Sequence, residues 1–221
     1  MQTQRIHKHG LVELIDCMPR LVPPDRTADY AVVQSARVSY GQGTKTLSAD
    51  ADLIRYLMRH QHTSPFEMVD FKFFIRMPIF VARQWMRHRT ASINEYSARY
   101  SIHPEAFYCP DPSHLTAQSS SNRQGRDATA PMPAEAVDDF ETVIEKACGL
   151  YADYQRLLSE HGLSREIARI VLPQNIYTTF YWKCNLRNVF HLLGLRMDPH
   201  AQEEIRDYAL RNRFCAECVV C

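Results

Sequence analysis

The chain has 221 residues, of which 45% are hydrophobic, and its 26 Lys and Arg residues are balanced by 25 Asp and Glu residues. This length and hydrophobic fraction suffice for one compact domain with a core that needs no disulfide or metal support. The near-zero net charge excludes a field that would draw the whole protein onto nucleic acid or an anionic membrane, so any anion site must be local.

We expect no targeting or membrane segment from the sequence. No run of about 18 apolar residues is present, and the segment MQTQRIHKHG lacks the features of a secretory signal, so we expect a cytoplasmic protein. The cysteines are odd in number and scattered, which favours reduced thiols over a disulfide framework. They lie at positions 17, 109, 148, 184, 215, 218 and 221.

The first elements are predicted from hydrophobic periodicity and capping residues. LVELIDCM (11–18) indicates a strand, and DYAVVQSARVSY (29–40) indicates a short helix that Thr27 caps. SADADLIRYLMRHQ (48–61) predicts an amphipathic helix that is capped by Ser48 and packs inward.

A turn, a strand and a helix are predicted next. Pro65 disfavours helical geometry at the preceding residue, so a turn is expected there. VDFKFFIRM (69–77) alternates apolar and polar residues, as a half-buried strand does. PIFVARQWMRHR (78–89) predicts a helix that carries Gln84, Arg87 and His88 on one face.

The second half begins with a polar stretch. QSSSNRQGRDATAPMP (118–133) has no hydrophobic period, and we interpret it as a long mobile loop of the kind that serves as a lid. The segment 137–158 predicts a long amphipathic helix that ends near Gly162, for which packing is the simplest role. SREIARIVL (164–172) predicts a helix that Pro173 stops.

The last predicted elements are a strand and two helices. Residues 176–182 alternate as a strand does. NLRNVFHLLGLR (185–196) predicts a helix that is capped by Asn185, with Arg187 and His191 on one face. Its core-facing residues are predicted to be Leu186, Val189, Phe190 and Leu193. A final helix is expected from residue 198.

The order of these elements bears on the fold class. Helices and strands are mixed without strict alternation, which favours α+β over a doubly wound parallel sheet. No internal repeat and no sharp shift in composition marks a boundary. We therefore expect a single domain over residues 1–221, with the long polar loop at 118–133.

Positive charge is concentrated between residues 71 and 100. This stretch holds five arginines and one lysine, and its single acid is Glu95. An isolated arginine more often lies on a solvated face, where an ion pair contributes about 0–1 kcal/mol. Here acids are too few to pair with the arginines, and charge-assisted hydrogen bonds to phosphate contribute about 1.5–3 kcal/mol each. The density of Arg87, His88, Arg89 and Arg99 therefore favours an anion site.

Other motifs carry less information. His60 and His62 lack the third and fourth partners of a zinc site. Three cysteines, at positions 215, 218 and 221, have the spacing of an iron–sulfur run, but no fourth cysteine stands near them. The chain contains no GxxxxGK, GxGxxG or GxSxG motif, so a cofactor would be held by side chains and helix ends.

One motif and several sequence blocks resemble a known family. Arg-His-Arg, seven residues and Ser, at 87–97, is similar to the signature motif of the flavin-dependent thymidylate synthases. The match extends along nearly the whole chain in the family's order, which argues strongly against coincidence. The blocks are HTSPFE (62–67), PIFVARQWMRHR (78–89), NEYSARY (94–100), ARIVLPQNIYT (168–178) and NLRNVFHLLGLR (185–196).

The resemblance implies a fold, a cofactor and a reaction. It implies helices around a largely antiparallel sheet, in a homotetramer whose active sites are shared between subunits and each hold FAD. The implied reaction transfers the methylene of methylenetetrahydrofolate to dUMP and reduces it with flavin hydride, while NADPH recharges the flavin. The products would be dTMP and tetrahydrofolate.

The resemblance also assigns residues by their position in the motifs. Positions similar to the family's dUMP-binding residues are Gln84, Arg87, Glu95, Ser97, Arg99, Arg169 and Arg196. Positions similar to its FAD-binding residues are Ser39, Ser64, Arg87, His88, Arg89, Glu95, Asn185, Arg187 and His191.

Two residues are implied to be catalytic, namely Arg196 and His62. A guanidinium at position 196 would stabilise negative charge that develops on the pyrimidine ring. His62 matches a catalytically important histidine, either as a proton carrier or in positioning ligands. No cysteine nucleophile is expected, and Ser97 has no evident base to activate it, so binding is its expected role.

Two other function classes remain to be distinguished from this enzyme. A non-catalytic module could use the arginines to bind RNA or DNA, and its affinity would fall steeply with salt. A flavoprotein that reduces a different substrate is the other alternative.

Overall fold

The computed structural model describes residues 2–20, 26–38 and 47–217. Ser39, assigned to the FAD set by resemblance, lies outside these ranges. The described residues form an α+β fold, as the mixture of elements predicts.

The main sheet has five strands. They are β1 (Gln2–Ile6), β2 (Gly10–Met18), β3 (Asp70–Pro78), β4 (Ser92–Glu95) and β7 (Tyr177–Asn185). The strand order is β1-β2-β3-β7-β4, and every neighbouring pair is antiparallel. The expectation of a largely antiparallel sheet is therefore confirmed. The prediction of a strand over 11–18 is confirmed as well, whereas β1 and β4 were not predicted.

The centre of the sheet is β3 paired with β7, and both follow the predicted alternation. Phe73 and Ile75 on β3 and Trp182 on β7 are fully buried. The Phe73 and Trp182 rings stack with centroids 5.8 Å apart, and Trp85 meets Trp182 edge-on at 5.3 Å. Since one face of each strand is apolar, the pattern fixes which side faces the core.

Seven α-helices surround the sheet in the described part of the chain. They are α1 (Asp29–Arg37), α2 (Leu47–Arg59), α3 (Ile79–Trp85), α4 (Ala134–Ser159), α5 (Arg165–Ala168), α6 (Leu186–Arg196) and α7 (Glu203–Glu217). None of the described helices is long and apolar enough to cross a membrane.

The helix that leads into the signature motif is shorter than predicted. It ends at Trp85, and Arg87 and His88 lie in the turn that follows. The amide of Arg87 bonds to the carbonyl of Gln84 at 3.3 Å, and that of His88 to Trp85 at 3.1 Å. These contacts to the third preceding residue close the helix, and the chain then enters β4.

The predicted long loop at 118–133 is wrong for about half of its length. Strand β5 (Thr116–Gln118) pairs with β6 (Arg126–Pro131), so only the intervening residues form a connection. Arg126 explains why this segment forms a hairpin, because its guanidinium donates to both Glu204 carboxylate oxygens at 2.7 Å and to the His114 carbonyl at 3.0 Å. A polar segment is thus fixed by partners that are remote in sequence.

Several helix boundaries also differ from the predictions. Helix α1 is preceded by Ala28 at its N-cap and shows no side-chain cap bond, so the cap predicted at Thr27 is absent. Ser48 lies inside α2 rather than before it. The helix predicted over 164–172 is a single α-turn, α5, followed by a 3₁₀ turn over Arg169–Val171. The final helix begins at residue 203 rather than 198.

The helix that carries the last sequence block forms as predicted, with one change in its packing. The Asn185 side chain accepts a hydrogen bond from the backbone amide of Asn188 at 3.0 Å, so it caps α6 as expected. Phe190, however, is 36% exposed, and Leu192 is fully buried in its place. The inward face of α6 is therefore rotated slightly from the predicted one.

Candidate functional site

Arg196 lies where the end of α6 meets the turn after α3. Its Nε donates to Nε2 of His88 at 3.0 Å, and its Nη2 donates to the backbone carbonyl of Gln84 at 3.3 Å. Arg196 is more than a hundred positions away from His88 and Gln84 in the chain, yet the three residues form one cluster. The structure thus brings together Arg196, His88 and Gln84, which the resemblance assigned to two different ligands.

His88 is neutral at pH 7 in this environment. The residue is only 9% exposed, and burial, followed by the charges of Arg196 and His191, lowers the pKa of its imidazole to about 4. A neutral ring has one lone pair, and the contact with the Arg196 donor requires that it lie on Nε2. The proton is therefore on Nδ1.

The Gln84 side chain is held by a residue that the sequence did not indicate. Its Nε2 donates to Oε1 of Gln202, which lies just before α7. Gln202 also lines a cleft of about 1350 Å³, whose wall includes the β5–β6 hairpin. No motif contains Gln202, and its role follows only from the packing of α7 against α3.

The arginines of the signature region are exposed. Arg83, Arg87, Arg89 and Arg99 all lie at the surface. Within the described ranges none of them forms an ion pair, and the Arg99 guanidinium rests 5.8 Å from the centre of the Tyr100 ring. Their N–H donors thus remain available to an anionic ligand, as the shortage of acids in the sequence predicts.

Glu95 and Ser97 are placed by the edge strand β4. The Glu95 carboxylate accepts a hydrogen bond from the buried Thr178 hydroxyl at 2.8 Å. The backbone amide of Tyr96 donates to the backbone carbonyl of Thr179 on β7 at 2.8 Å. Ser97 then begins a tight turn, in which the backbone amide of Arg99 donates to the Ser97 hydroxyl at 3.4 Å. The sheet therefore fixes Glu95 and Ser97. Thr178 ends the block ARIVLPQNIYT, but the sequence assigned it no role.

The flavin-side residues on α6 form a second polar cluster. Thr90 donates to the Asn188 side chain at 2.9 Å, and Asn188 donates to Oδ1 of Asn185 at 2.8 Å. The His191 ring lies 5.8 Å from that of His88. This arrangement connects the start of α6 with the turn after α3.

Arg187 differs from the other predicted arginines because it has an acidic partner. Its Nη1 contacts the Glu67 carboxylate at 2.5 Å, which joins α6 to the 3₁₀ turn over Ser64–Met68. Ser64, another predicted flavin residue, is exposed on this turn. The ion pair places Arg187 and Ser64 on adjoining elements.

Two predicted residues are not joined to these clusters. Arg169 is exposed on its 3₁₀ turn and donates to the carbonyl of Glu166 at 3.3 Å. His62 is also exposed, and its ring lies 6.0 Å from that of Tyr56 and 6.3 Å from that of His60. In the described part of the chain, neither residue forms a hydrogen bond, ion pair or ring contact with another predicted site residue.

The donor set fits an anionic dinucleotide. Arg187 lies in the first turn of α6, and Arg89 directly precedes Thr90, which bonds to Asn188 near the capped start of that helix. The Asn and Thr side chains there supply both donors and acceptors beside the guanidinium groups. No group of three or more His, Cys, Asp or Glu side chains suited to a metal ion occurs among the described residues.

The sequence matches a family profile and several relatives. Residues 20–217 match the family described as thymidylate synthase complementing protein. A flavin-dependent thymidylate synthase from Dictyostelium discoideum is 57% identical over 206 residues, which are 93% of this chain and 67% of that protein. Relatives with the same name from Gluconobacter oxydans and Thermus thermophilus are each 54% identical, over 91% and 95% of this chain. The chain spans 64% and 71% of their lengths.

Solved structures show the same fold. A UMP/dUMP methylase, PolB from Streptomyces cacaoi, superposes with a TM-score of 0.80 at 35% identity in its form bound with 5-Br dUMP. The match covers 95% of this chain and 91% of that chain. The form bound with 5-Br UMP gives a TM-score of 0.78 at 36% identity and covers 95% and 89%.

The signature motif, the family profile over residues 20–217 and the relatives at more than half identity agree. The chain belongs to the thymidylate synthase complementing family, the flavin-dependent thymidylate synthases.

Proposed function

We propose that this chain catalyses the conversion of dUMP to dTMP, with methylenetetrahydrofolate as the one-carbon donor, FAD as the cofactor and NADPH as the reductant. The observation that carries the proposal is the cluster of Arg196, His88 and Gln84, where a half-buried guanidinium is held by a neutral imidazole and a backbone carbonyl. The relatives named flavin-dependent thymidylate synthase and the methylase bound with 5-Br dUMP support the same reaction class.

Arg196 is the residue to which we assign the main electrostatic role. Its burial removes competing water, which strengthens the interaction of a fixed positive charge with negative charge that develops on the pyrimidine. Since the guanidinium is already held by two partners, little reorganisation is needed when the substrate reacts. Removal of a preorganised donor of this kind costs about 10²–10³-fold in turnover.

The other residues proposed to bind dUMP fall into two groups, exposed donors and side chains that a neighbouring residue holds in place. Arg87 and Arg99 offer exposed forked donors for the nucleotide phosphate, and Ser97 supplies a hydroxyl in the turn between β4 and Arg99. Gln84 is held by Gln202, and Glu95 is held by Thr178. Arg169 would join this set from a separate 3₁₀ turn.

FAD would be held by the second cluster. Arg89 and Arg187 provide charge for its pyrophosphate, while Asn185 and Ser64 lie on the adjoining start of α6 and the 3₁₀ turn. We also assign His88 and His191 to the flavin, and Glu95 to both ligands. When bound, the flavin supplies the hydride for reduction of the transferred carbon. The protein's part is to orient both ligands and to exclude water around Arg196.

The proposal includes no cysteine nucleophile. Cys184 is buried in β7, and its pKa is raised by burial, while burial and nearby carboxylates raise the pKa of Cys17 to about 11. Because the thiolate is the reactive form, these thiols are poorly suited to attack a pyrimidine at neutral pH. His62 is exposed and is proposed to assist catalysis from outside the Arg196 cluster.

We propose a homotetramer with shared active sites as the working form. Helix α4 supports an assembly, because Phe140, Val143 and Leu150 on it are 37%, 61% and 39% exposed. An apolar strip of this kind on a long helix is typical of a surface that another chain covers. A partner subunit could also bring further groups to Arg169 and His62.

The test is an assay for dTMP formation from dUMP, methylenetetrahydrofolate and NADPH, with and without added FAD. We expect the purified protein to be yellow, to bleach with NADPH and to form dTMP. A flavoprotein that bleaches without forming dTMP would support reduction of another substrate. A colourless protein whose binding to oligonucleotides falls steeply with salt would instead support the nucleic-acid module.

A further inference from the structure

We propose that His88 is a positioning residue that fixes the orientation of the Arg196 guanidinium through its unprotonated Nε2. The inference rests on the proposed function only for its consequence, namely that a misoriented Arg196 loses its hold on the nucleotide base. The contact itself is independent of which reaction the enzyme performs. This role is distinct from a direct contact of His88 with flavin.

The geometry determines the plane of the guanidinium. One contact runs from Nε to the His88 ring at 3.0 Å, and the other from Nη2 to the Gln84 carbonyl at 3.3 Å. Because the guanidinium is planar and its five N–H donors form a rigid fork, two anchors on different nitrogens fix both its position and its rotation. Both Nη1 donors and one Nη2 donor remain for a ligand.

The contact requires one tautomer of His88. Arginine has no acceptor atom, so Nε2 must carry the lone pair and Nδ1 the proton. An imidazolium at this position would turn a donor toward Arg196 and add a second positive charge. The titratable and charged groups that face His88 are Arg196 and His191 from α6, with Arg87 and Arg89 on either side of it in the chain.

The same contact limits what His88 can do for flavin. With Nε2 engaged by Arg196, only the Nδ1–H and the ring face are free for a cofactor. The positioning role and a flavin-binding role therefore predict different effects for the same substitution of His88. A substitution that keeps an acceptor near Nε2 preserves the positioning of Arg196 even when it loses the Nδ1–H.

The first experiment compares His88→Leu, which keeps bulk and removes the acceptor, with His88→Gln, whose Oε1 lies near the position of Nε2. Each is also combined with Arg196→Ala, and His161→Leu, at an exposed position after α4, is the control. Rates of dTMP formation and KM for dUMP are measured at saturating FAD, with bound flavin and thermal unfolding recorded for every variant.

We expect His88→Leu to lower kcat by about 10–100-fold, because a displacement of about 1 Å at a catalytic group has effects of this size. His88→Gln should recover most of this loss, and His161→Leu should match the parent. In the Arg196→Ala background, His88→Leu should cause no further loss. Equal losses in both backgrounds, or a Gln variant as impaired as the Leu variant, would overturn the proposal.

The second experiment does not depend on turnover. In protein labelled with ¹⁵N-arginine, the Arg196 Nε–H signal is assigned by its absence in Arg196→Ala. We expect it to exchange slowly with water in the parent and in His88→Gln, and to exchange faster and shift in His88→Leu. An unchanged Arg196 signal in His88→Leu would refute the positioning contact. A protein that shows the NMR effect but forms no dTMP would refute the proposed reaction and leave the contact established.

Discussion

The β3–β7 pair and the stretch from Arg83 to Arg99 are close in space but differ in whether their side chains have partners within the chain. On β3 and β7, Phe73 and Trp182 are fully buried and stack on each other. In the arginine stretch, the guanidinium groups are exposed and form no ion pair within the described ranges. The sheet side chains find their partners within the chain, whereas we propose that the arginines find theirs in bound ligands. Mutations in the β3–β7 pair should therefore change the free energy of unfolding, whereas mutations in the arginine stretch should change ligand binding and activity.

The largest effect on folding is expected from Trp182→Ala. This substitution removes a fully buried side chain that contacts Phe73 and Trp85, and it should lower the free energy of unfolding by about 3–5 kcal/mol. Tyr181→Ala is the matched control, since the neighbouring side chain is 42% exposed on the other face. Chemical denaturation measures both variants, and similar losses would show that the buried face does not dominate stability.

Arg196→Ala should have the largest effect on activity. We expect turnover to fall by about 10²–10³-fold, because a preorganised donor to the reacting base is lost. Bound flavin should be retained, since Arg196 contacts His88 and Gln84 rather than the cluster at the start of α6. Single-turnover formation of dTMP and the flavin absorbance measure the two properties. Loss of flavin with intact chemistry would assign Arg196 to the cofactor instead.

Arg89→Ala tests the exposed arginines directly. The Kd for FAD should rise by about 10–100-fold, as expected when one charge-assisted contact of about 1.5–3 kcal/mol is removed. The free energy of unfolding of the protein without ligand should change by less than about 0.5 kcal/mol, because this side chain is exposed. Arg55→Ala, on the exposed Arg55–Asp52 pair of α2, is the control. Unchanged flavin affinity in Arg89→Ala would remove Arg89 from the cofactor site.

The smallest predicted effect is a pH dependence that His88 contributes to folding. Its pKa is about 4 in the folded protein against an ordinary value of 6.5, so the unfolded chain binds a proton first as pH falls. This stability is present above pH 6.5 and is lost as the pH falls toward 4. Between pH 6.5 and pH 5 the contribution should be about 2 kcal/mol at most.

His88→Gln isolates that contribution, because the other histidines with lowered pKa, His7, His9 and His103, remain in both proteins. Chemical denaturation at pH 7.5 and pH 5 gives the difference. We expect the loss of stability at pH 5 to be smaller in His88→Gln than in the parent. An identical pH dependence would mean that His88 is not held neutral by its surroundings.

The elements that the sequence predicted are those whose pattern is local. Alternation alone identified β3 and β7, and the Asn185 cap identified the start of α6. Strand β4 could not be found in this way, because all of its residues are exposed and its position depends on pairing with the distant strand β7. Strand β6 depends on the Arg126–Glu204 pair, whose members are 78 residues apart.

The candidate site shows the same division. The motifs identified Gln84, His88 and Arg196, and the structure brings these three together. Gln202 and Thr178 were missed because each acts through a contact made by tertiary packing, with Gln84 and Glu95 respectively. The ligand roles of the exposed arginines depend on molecules outside the chain, so they stay predictions.

A crystal structure of the protein with both dUMP and FAD bound tests the central claim most directly. We expect the guanidinium groups of Arg87, Arg99 and Arg196 to lie within hydrogen-bonding distance of the bound nucleotide, with the Arg196–His88 contact preserved. Ligands bound elsewhere, with these three arginines facing water, would contradict it.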